Sequence, residues 1–310
     1  MFKNVIVYRI GPGWAAQLTQ MEESLQAARF VPCGASQEKS FGWVEPRGEA
    51  HGPLVEAVGG QLIMKFMTEA KVLPGPVVNR KAQERLAQIE ATTGRKPGKK
   101  ETREIKEDVR LALLPMAFTK QAKTTVWIDP QAQLLVIDAA SQGRADEVVT
   151  ALVTSFDGLN LALLNTTTSP VAAMSEWLTS QEPPAGFSVD RECELKQPDS
   201  EKSTVRYARH TLDIAEVSEH IAQGKLPTQL AMTWAGRVSF VLTEALTLTL
   251  KKIKLLDVVL EGTATGKDDG GFDTDVAITT GELSLLIPDL IDALGGELEL
   301  GVATEERLAA

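Results

Sequence analysis

Residues 77–114 carry two helical patterns on either side of Gly94-Arg95-Lys96-Pro97-Gly98-Lys99-Lys100, and this stretch constrains the fold more than any other. Over 77–91, Val78, Ala82, Leu86 and Ile89 recur at helical spacing, and Thr93-Gly94 supplies a C-terminal stop. Over 101–114, Ile105, Val109, Ala112 and Leu113 form one stripe, with Arg103, Lys106 and Arg110 on the stripe beside it. Glu101, Glu104, Glu107 and Asp108 take the remaining face. The intervening Gly and Pro force a reversal, so the two helices fold back as a hairpin with Arg95, Lys96, Lys99 and Lys100 at its tip. Helices of about 15 residues, at ~1.5 Å rise each, carry such a tip on the order of 20 Å from its base.

Charge gives this hairpin its interest. Residues 71–123 hold 13 basic and 6 acidic side chains, a balance of +7 in a chain of net charge −10, so everything else carries −17. An acidic protein thus conceals a local site for a polyanion. The plain structural alternative is a solvated, charged helical pair with no partner. A second basic group lies further on: Lys202, Arg206, Arg209 and His210, then Lys225, Arg237, Lys251, Lys252 and Lys254. On a strand, Lys202, Arg206 and His210 point one way, and Tyr207 and Arg209 the other. Protection of a sheet edge is the alternative there.

With 310 residues the chain is long enough for two or three domains, and no apolar run approaches the ~20 residues of a membrane span. The N-terminus reads as a strand rather than a signal peptide. Two cysteines, Cys33 and Cys193, fit a reducing cytoplasm, with Cys33 a small buried hydrophobe rather than a nucleophile. Strand patterns at 2–10, 41–44 and 61–67 surround a helix over 15–28; after the hairpin, 124–128 and 133–138 form an antiparallel pair followed by a helix over 145–154. The polar, Pro- and Gly-containing stretch 180–186 marks a boundary. Beyond it, 203–209, 229–234, 238–243 and 247–255 suggest a second antiparallel sheet, with a helix over 213–223. A strand over 272–278 precedes a last helix over 280–294, whose Leu283, Leu286, Ile287, Leu290 and Leu294 face inward and whose Pro288 should kink or divide it. The tail from Gly301 is polar enough to fray. The fold class is α+β, with antiparallel sheets backed by helices and a projecting basic helical hairpin.

No motif points to catalysis. His51, His210 and His220 are scattered, and HExxH, Walker A, Rossmann and nucleophile-elbow patterns are absent from the sequence. Asp268, Asp269, Asp273 and Asp275 offer four carboxylates, the last two on one face of a strand, but without the twelve-residue calcium-loop pattern. No enzyme activity, metal or cofactor is expected.

Phe2-Lys3-Asn4, Val7-Tyr8-Arg9, Phe30-Val31-Pro32-Cys33-Gly34 and Gly42-Trp43-Val44-Glu45-Pro46 belong to a longer series of motifs. The series continues through Val72-Leu73-Pro74-Gly75-Pro76-Val77, Leu113-Leu114-Pro115-Met116-Ala117-Phe118, Trp127-Ile128-Asp129, Thr280-Gly281-Glu282-Leu283 and Leu294-Gly295-Gly296-Glu297. In order and spacing it resembles the RdgC family of bacterial recombination-associated proteins, nearly end to end. The resemblance implies a ring-shaped homodimer closed by two interfaces, with DNA in a positively charged central hole. It implies binding of single- and double-stranded DNA without sequence preference, restraint of RecA by occupying the DNA, and a cytoplasmic, nucleoid-associated place.

On that reading the domains are a central one (1–76 and 116–180), a finger at the tip (77–115) and a C-terminal base (181–310). DNA contacts fall to Arg95, Lys96, Lys99, Lys100, Arg103, Lys106 and Arg110, with Lys225 from the sheet. Phe118 matches the aromatic of the family's LLPxAF segment and is a candidate dimer contact. Arg209 and His210 align with a basic segment near the other contact, where Lys-Gln is expected instead. Two other function classes stay open beside this one: a metal-dependent DNA-processing enzyme using the Asp268–Asp275 carboxylates, and a scaffold that binds an acidic protein through the finger.

Overall fold

The computed structural model describes residues 2–199, 203–245, 247–260 and 270–298. Its strands are β1 (Val5–Ile10), β2 (Lys39–Val44), β3 (Val55–Val58), β4 (Gln61–Val72), β5 (Phe118–Asp129), β6 (Leu134–Ile137), β7 (Leu161–Leu163), β8 (Phe187–Lys196), β9 (Thr204–Ala208), β10 (Leu226–Trp234), β11 (Val238–Thr243) and β12 (Thr249–Leu255). The α-helices among the described residues are α1 (Leu18–Ala27), α2 (Gly75–Thr93), α3 (Lys99–Leu113), α4 (Gln142–Ser155), α5 (Pro170–Ser180), α6 (Ala215–Ala222), α7 (Asp257–Leu260) and α8 (Gly270–Ala293). This is an α+β fold. The chain divides into two compact units: 1–21, 55–63 and 125–310 make one, and 22–54 with 64–124 the other.

In the first unit, strands run in the order β6-β1-β12-β11-β10-β8-β9, each pair antiparallel. The β5–β6 hairpin forms as the alternation indicates, with Val126 opposite Ile137 and Asp129 opposite Leu134. A separate second sheet does not. β1 pairs with β6 through Ile6–Arg9 and with β12 through Val5 and Ile6, joining early and late strands into one sheet. The reason is in its composition: Val5, Ile6, Val7 and Tyr8 are all buried, so both faces of this strand need cover and it takes a central place.

Helix α8 supplies much of that cover. Leu283, Leu286, Ile287, Leu290 and Leu294 are fully buried against Leu195, Leu230, Met232, Phe240, Leu242 and Leu250. The helix begins earlier than the sequence suggested, taking up 272–278, and runs undivided through Pro288. Phe272, Val276 and Thr280 continue the i, i+4 stripe of Leu283 and Ile287 upstream, and this 3.6-residue period outweighs the short alternation that resembled a strand. Two ties fix the helix: Trp234 Nε1 donates to Asp289 at 2.8 Å, and Arg237 Nε donates to Glu282 at 2.8 Å. The proposed fraying tail lies outside the described residues.

In the second unit, β2 pairs with β4 from Lys39 opposite Ala70 to Val44 opposite Lys65. Trp43 and Phe66 meet edge to face at 5.1 Å. Gly42, next to Trp43 in β2, has no room for a side chain, because a Cβ there would stand 2.6 Å from the Phe30 backbone. α2 and α3 complete this unit.

Candidate nucleic-acid interface

Helices α2 and α3 pack through a small apolar seam. Ala82, Ile105 and Val109 are buried, with Val78, Leu86, Ile89 and Leu113 partly covered. Ala112, assigned to the inner stripe by periodicity, is exposed, because the seam ends where α3 gives way to a 3-10 turn at Leu114–Met116. At the reversal, Gly94 adopts φ 68°, and its N–H donates to the Glu90 carbonyl at 2.9 Å, which closes α2 in the left-handed manner glycine favours.

The cations on these helices divide into two sets. Arg95 forms a bidentate pair with Glu101, at 2.9 and 3.1 Å, and Lys100 lies 3.9 Å from Glu104. Arg110 Nη2 reaches across 72 residues to Glu38 at 2.8 Å. Lys96, Lys99, Arg103 and Lys106 are exposed and form no ion pair among the described residues. Glu84 likewise matches Arg80 and Lys81 on α2, at 4.0 and 2.9 Å. The acidic side chains therefore neutralise part of the charge, and Lys96, Lys99, Arg103 and Lys106, with the exposed Arg85 on α2, carry what is unmatched among the described residues. Exposed ion pairs of this kind contribute little to stability, so Arg95 and Lys100 can exchange partners at small cost.

The root of the helices is held by contacts the sequence did not indicate. Lys71 Nζ donates to the carbonyls of Ala35 at 2.6 Å and Leu114 at 2.9 Å. The buried Glu69 accepts from the Cys33 N–H at 2.8 Å and from Gln121 at 2.6 Å, and these hydrogen bonds, Gln121 first, hold its carboxyl below the usual range. Such pairings join residues tens of positions apart and leave no local pattern to read. Beside the root stand Leu111, Met116 and Phe118, exposed by 49%, 73% and 87%. Phe118 lies outside the apolar core.

The later basic group has a different setting. Arg206 Nε donates to Glu194 at 2.9 Å, and Lys252 Nζ donates to Glu192 at 2.9 Å. With the Arg237–Glu282 pair already described, three of its cations are matched by carboxylates on neighbouring elements. Lys225 follows α6, 3.4 Å from His220 Nδ1. β9 ends the strand order of its unit, with Arg206 on its exposed side and Val205 and Tyr207 against the core. Arg209 and His210 leave the strand rather than continuing its alternation: Arg209 takes φ 56°, and His210 Nδ1 lies 2.7 Å from the Thr211 carbonyl. Lys202 lies outside the described residues.

The cysteines and the acidic cluster lie far from this surface in sequence or carry raised pKa values. Burial pushes the Cys193 thiol up to about 12, and burial with the neighbouring Glu69 also raises Cys33. Tyr207 is pushed up to about 12, first by burial and then by Glu216. Asp273 and Asp275 lie in the first turns of α8, not on a strand, so two residues apart they point away from each other. Asp268 and Asp269 lie outside the described residues. Among the described residues no group of three or more His, Cys, Asp or Glu side chains could hold a metal ion, and no helix is long and apolar enough to cross a membrane.

Comparison with known proteins gives a consistent result over the whole chain. Residues 1–297 match the family model described as "Putative exonuclease, RdgC". The chain is 46% identical over 298 residues to a protein of Herminiimonas arsenicoxydans, covering 96% of this chain and 98% of that one. It is 45% identical over 300 residues to one from Janthinobacterium sp. (strain Marseille), covering 96% and 99%, and 41% identical over 302 residues to one from Dechloromonas aromatica, covering 96% and 98%. Each of the three relatives bears the name "Recombination-associated protein RdgC".

Proposed function

Because the chain belongs to the RdgC family of recombination-associated proteins, we propose that it binds single- and double-stranded DNA without sequence preference, encircles it as a ring-shaped homodimer, and limits RecA-mediated recombination by occupying the strand. The observation that carries this reading is the set Lys96, Lys99, Arg103 and Lys106, exposed and unmatched on α3 and the turn before it in an otherwise acidic chain. Cations of this kind neutralise phosphates and release counterions, and phosphate contacts carry no sequence information. Arg95, Lys100 and Arg110 join the set by exchanging Glu101, Glu104 and Glu38 for phosphate, and Lys225 supplies a further contact. The −17 carried outside the 71–123 segment repels DNA elsewhere and confines it to this surface.

Phe118 anchors one dimer contact, since a phenylalanine exposed by 87% beside Met116 and Leu111 is an apolar patch without cover in the single chain. Arg209 and His210 belong to the second. The finger serves as tip and 181–310 as base of each protomer, and the ring acts in the cytoplasm, on the nucleoid.

The family model's description as an exonuclease favours a second reading, metal-dependent DNA processing. A single experiment separates the two: gel-shift titration on linear and closed-circular DNA over several salt concentrations, with magnesium present and absent. Retention that falls steeply with salt, with DNA intact, supports the binding reading. Magnesium-dependent shortening of linear DNA, lost in Asp273→Asn with Asp275→Asn, supports the enzyme. The same titration with RecA present tests competition: neutralising Arg103, Lys106 and Arg110 weakens DNA binding and RecA inhibition in parallel. A variant that has lost DNA binding yet still blocks RecA refutes competition for the strand.

A further inference from the structure

We propose that the open edge of β8 binds an extended peptide segment of a partner protein, one that alternates apolar and basic side chains. The proposal goes beyond the DNA reading and does not rest on it. β9 pairs with β8 from Lys196 opposite Thr204 to Glu192 opposite Ala208. Arg209 then turns the chain aside at φ 56°, with the His210 N–H donating to the Arg191 carbonyl at 3.1 Å as it leaves. Upstream of this point β8 keeps β10 on one side. On the other lies a cavity of about 390 Å³, bounded by residues 188–191, by 211–213 and by the end of α5 with Gln181 and Pro183.

The register fixes which backbone groups face that cavity. The Gly186 carbonyl accepts from the Ala235 N–H at 2.8 Å and so points toward β10. In an antiparallel ladder the bonded pairs alternate. Ser188, opposite Thr233, is therefore bonded to β10 in the same way, whereas Val189, opposite Met232, turns its N–H and C=O to the open side. Among the described residues nothing pairs with them there. Such an edge takes up an added strand, whose side chains then alternate between the two faces of the sheet. The residue opposite Val189 shares its face. On that face Val189 packs against the core, and Trp177, Leu178 and Leu212 of the same core line the cavity, so this residue is apolar. Its neighbours share the other face with Asp190, whose carboxylate accepts from the neutral Thr233 hydroxyl at 2.9 and 3.1 Å. Asp190, Asp213 and Arg191 form no ion pair among the described residues, and together they leave one net negative charge on the lining. That balance suits basic side chains and disfavours phosphate. Gln181 Nε2 donates to the carbonyls of Leu178 at 2.7 Å and Leu212 at 3.3 Å, which ties the apolar walls together before anything binds.

Hydrogen exchange of single amides and fluorescence anisotropy on the full chain test this, with capped hexapeptides that alternate leucine with lysine, serine or glutamate. In the protein alone the Val189 amide exchanges fast while that of Ser188 is protected. The leucine–lysine peptide protects Val189 and binds about tenfold tighter than the leucine–glutamate peptide. Asp213→Asn narrows that ratio. Val189→Pro removes the N–H where an edge strand tolerates proline, and it abolishes peptide binding while DNA affinity stays unchanged. The exchange comparison needs only the parent protein, so it decides the matter even where Val189→Pro does not fold. A Val189 amide already protected in the protein alone, as a second copy on the edge would make it, overturns the proposal. So does protection by oligothymidylate in place of the peptides, which would give the edge to DNA. Equal binding of the three peptides, or binding of none, overturns it as well and leaves the DNA reading intact.

Discussion

In the β8–β12 region Arg206, Arg237 and Lys252 each hold a carboxylate at 2.8–2.9 Å, whereas on α3 and the turn before it Lys96, Lys99, Arg103 and Lys106 hold none among the described residues. The residue types are the same, yet in the first region the cations complete a sheet and its helix, and in the second they remain available to a polyanion. The apolar cores differ in the same direction. Leu283, Leu286, Leu290 and their neighbours lie in a large cluster that includes both sheet and helix, while three buried residues hold α2 to α3. A basic side chain in a sequence is thus evidence for a partner only when no acid of its own fold has claimed it.

The largest difference between the two regions lies in what core truncation does. Leu290→Ala lowers global stability by ~2–5 kcal/mol, measured by denaturant unfolding. Ile105→Ala instead opens the helical pair locally, so hydrogen exchange quickens over 77–113 while the sheet stays protected. Equal protection loss in both regions after Ile105→Ala would erase the distinction. Next, Phe118→Ser weakens self-association by ~2 kcal/mol or more at unchanged far-UV circular dichroism, read by sedimentation. A folded variant that associates as the parent does removes Phe118 from any interface.

Smaller still is a pH effect confined to the sheet. Hydrogen bonding to Arg206, followed by that to Thr228, holds Glu194 below the usual carboxylate range. A depressed folded pKa adds stability that is full above the unfolded value and is lost as pH falls through the folded one. Arg206→Gln should therefore lower stability most at neutral and alkaline pH, where the pair contributes in full, with the two stability curves converging as pH falls through the folded value. Parallel acid limbs for parent and variant would show that the pair contributes nothing.

How much of this could be read from the chain follows the range of the interactions. Helices α2 and α3, the Gly94 stop, the inward face of α8 and the β5–β6 pair rest on neighbours within a few residues, and the sequence displays them. Helix α5 also carries a local signal: Ser169 accepts from the Ala172 N–H at 3.3 Å, with Pro170 at the first helical position. β8 escaped because Asp190, Arg191, Glu192 and Glu194 disguise it, two of these acids being partners for cations on β9 and β12. Single-sheet topology and the partners Glu38, Glu69 and Glu194 depend on residues far apart in sequence. Periodicity carries no such information, and for the same reason it could not tell Arg206 from Arg103.

The salt dependence of DNA affinity tests the contrast most directly, comparing the parent with two charge variants. Lys96, Lys99, Arg103 and Lys106 all replaced by Gln should flatten the slope of log K against log salt by ~0.9 per lost duplex contact, about 3.6 in all. Arg206, Arg237 and Lys252 replaced by Gln should leave that slope where it was. An unchanged slope in the helical variant, or an equal loss in the sheet variant, would contradict the assignment of DNA to the unmatched cations of α3 and the turn before it.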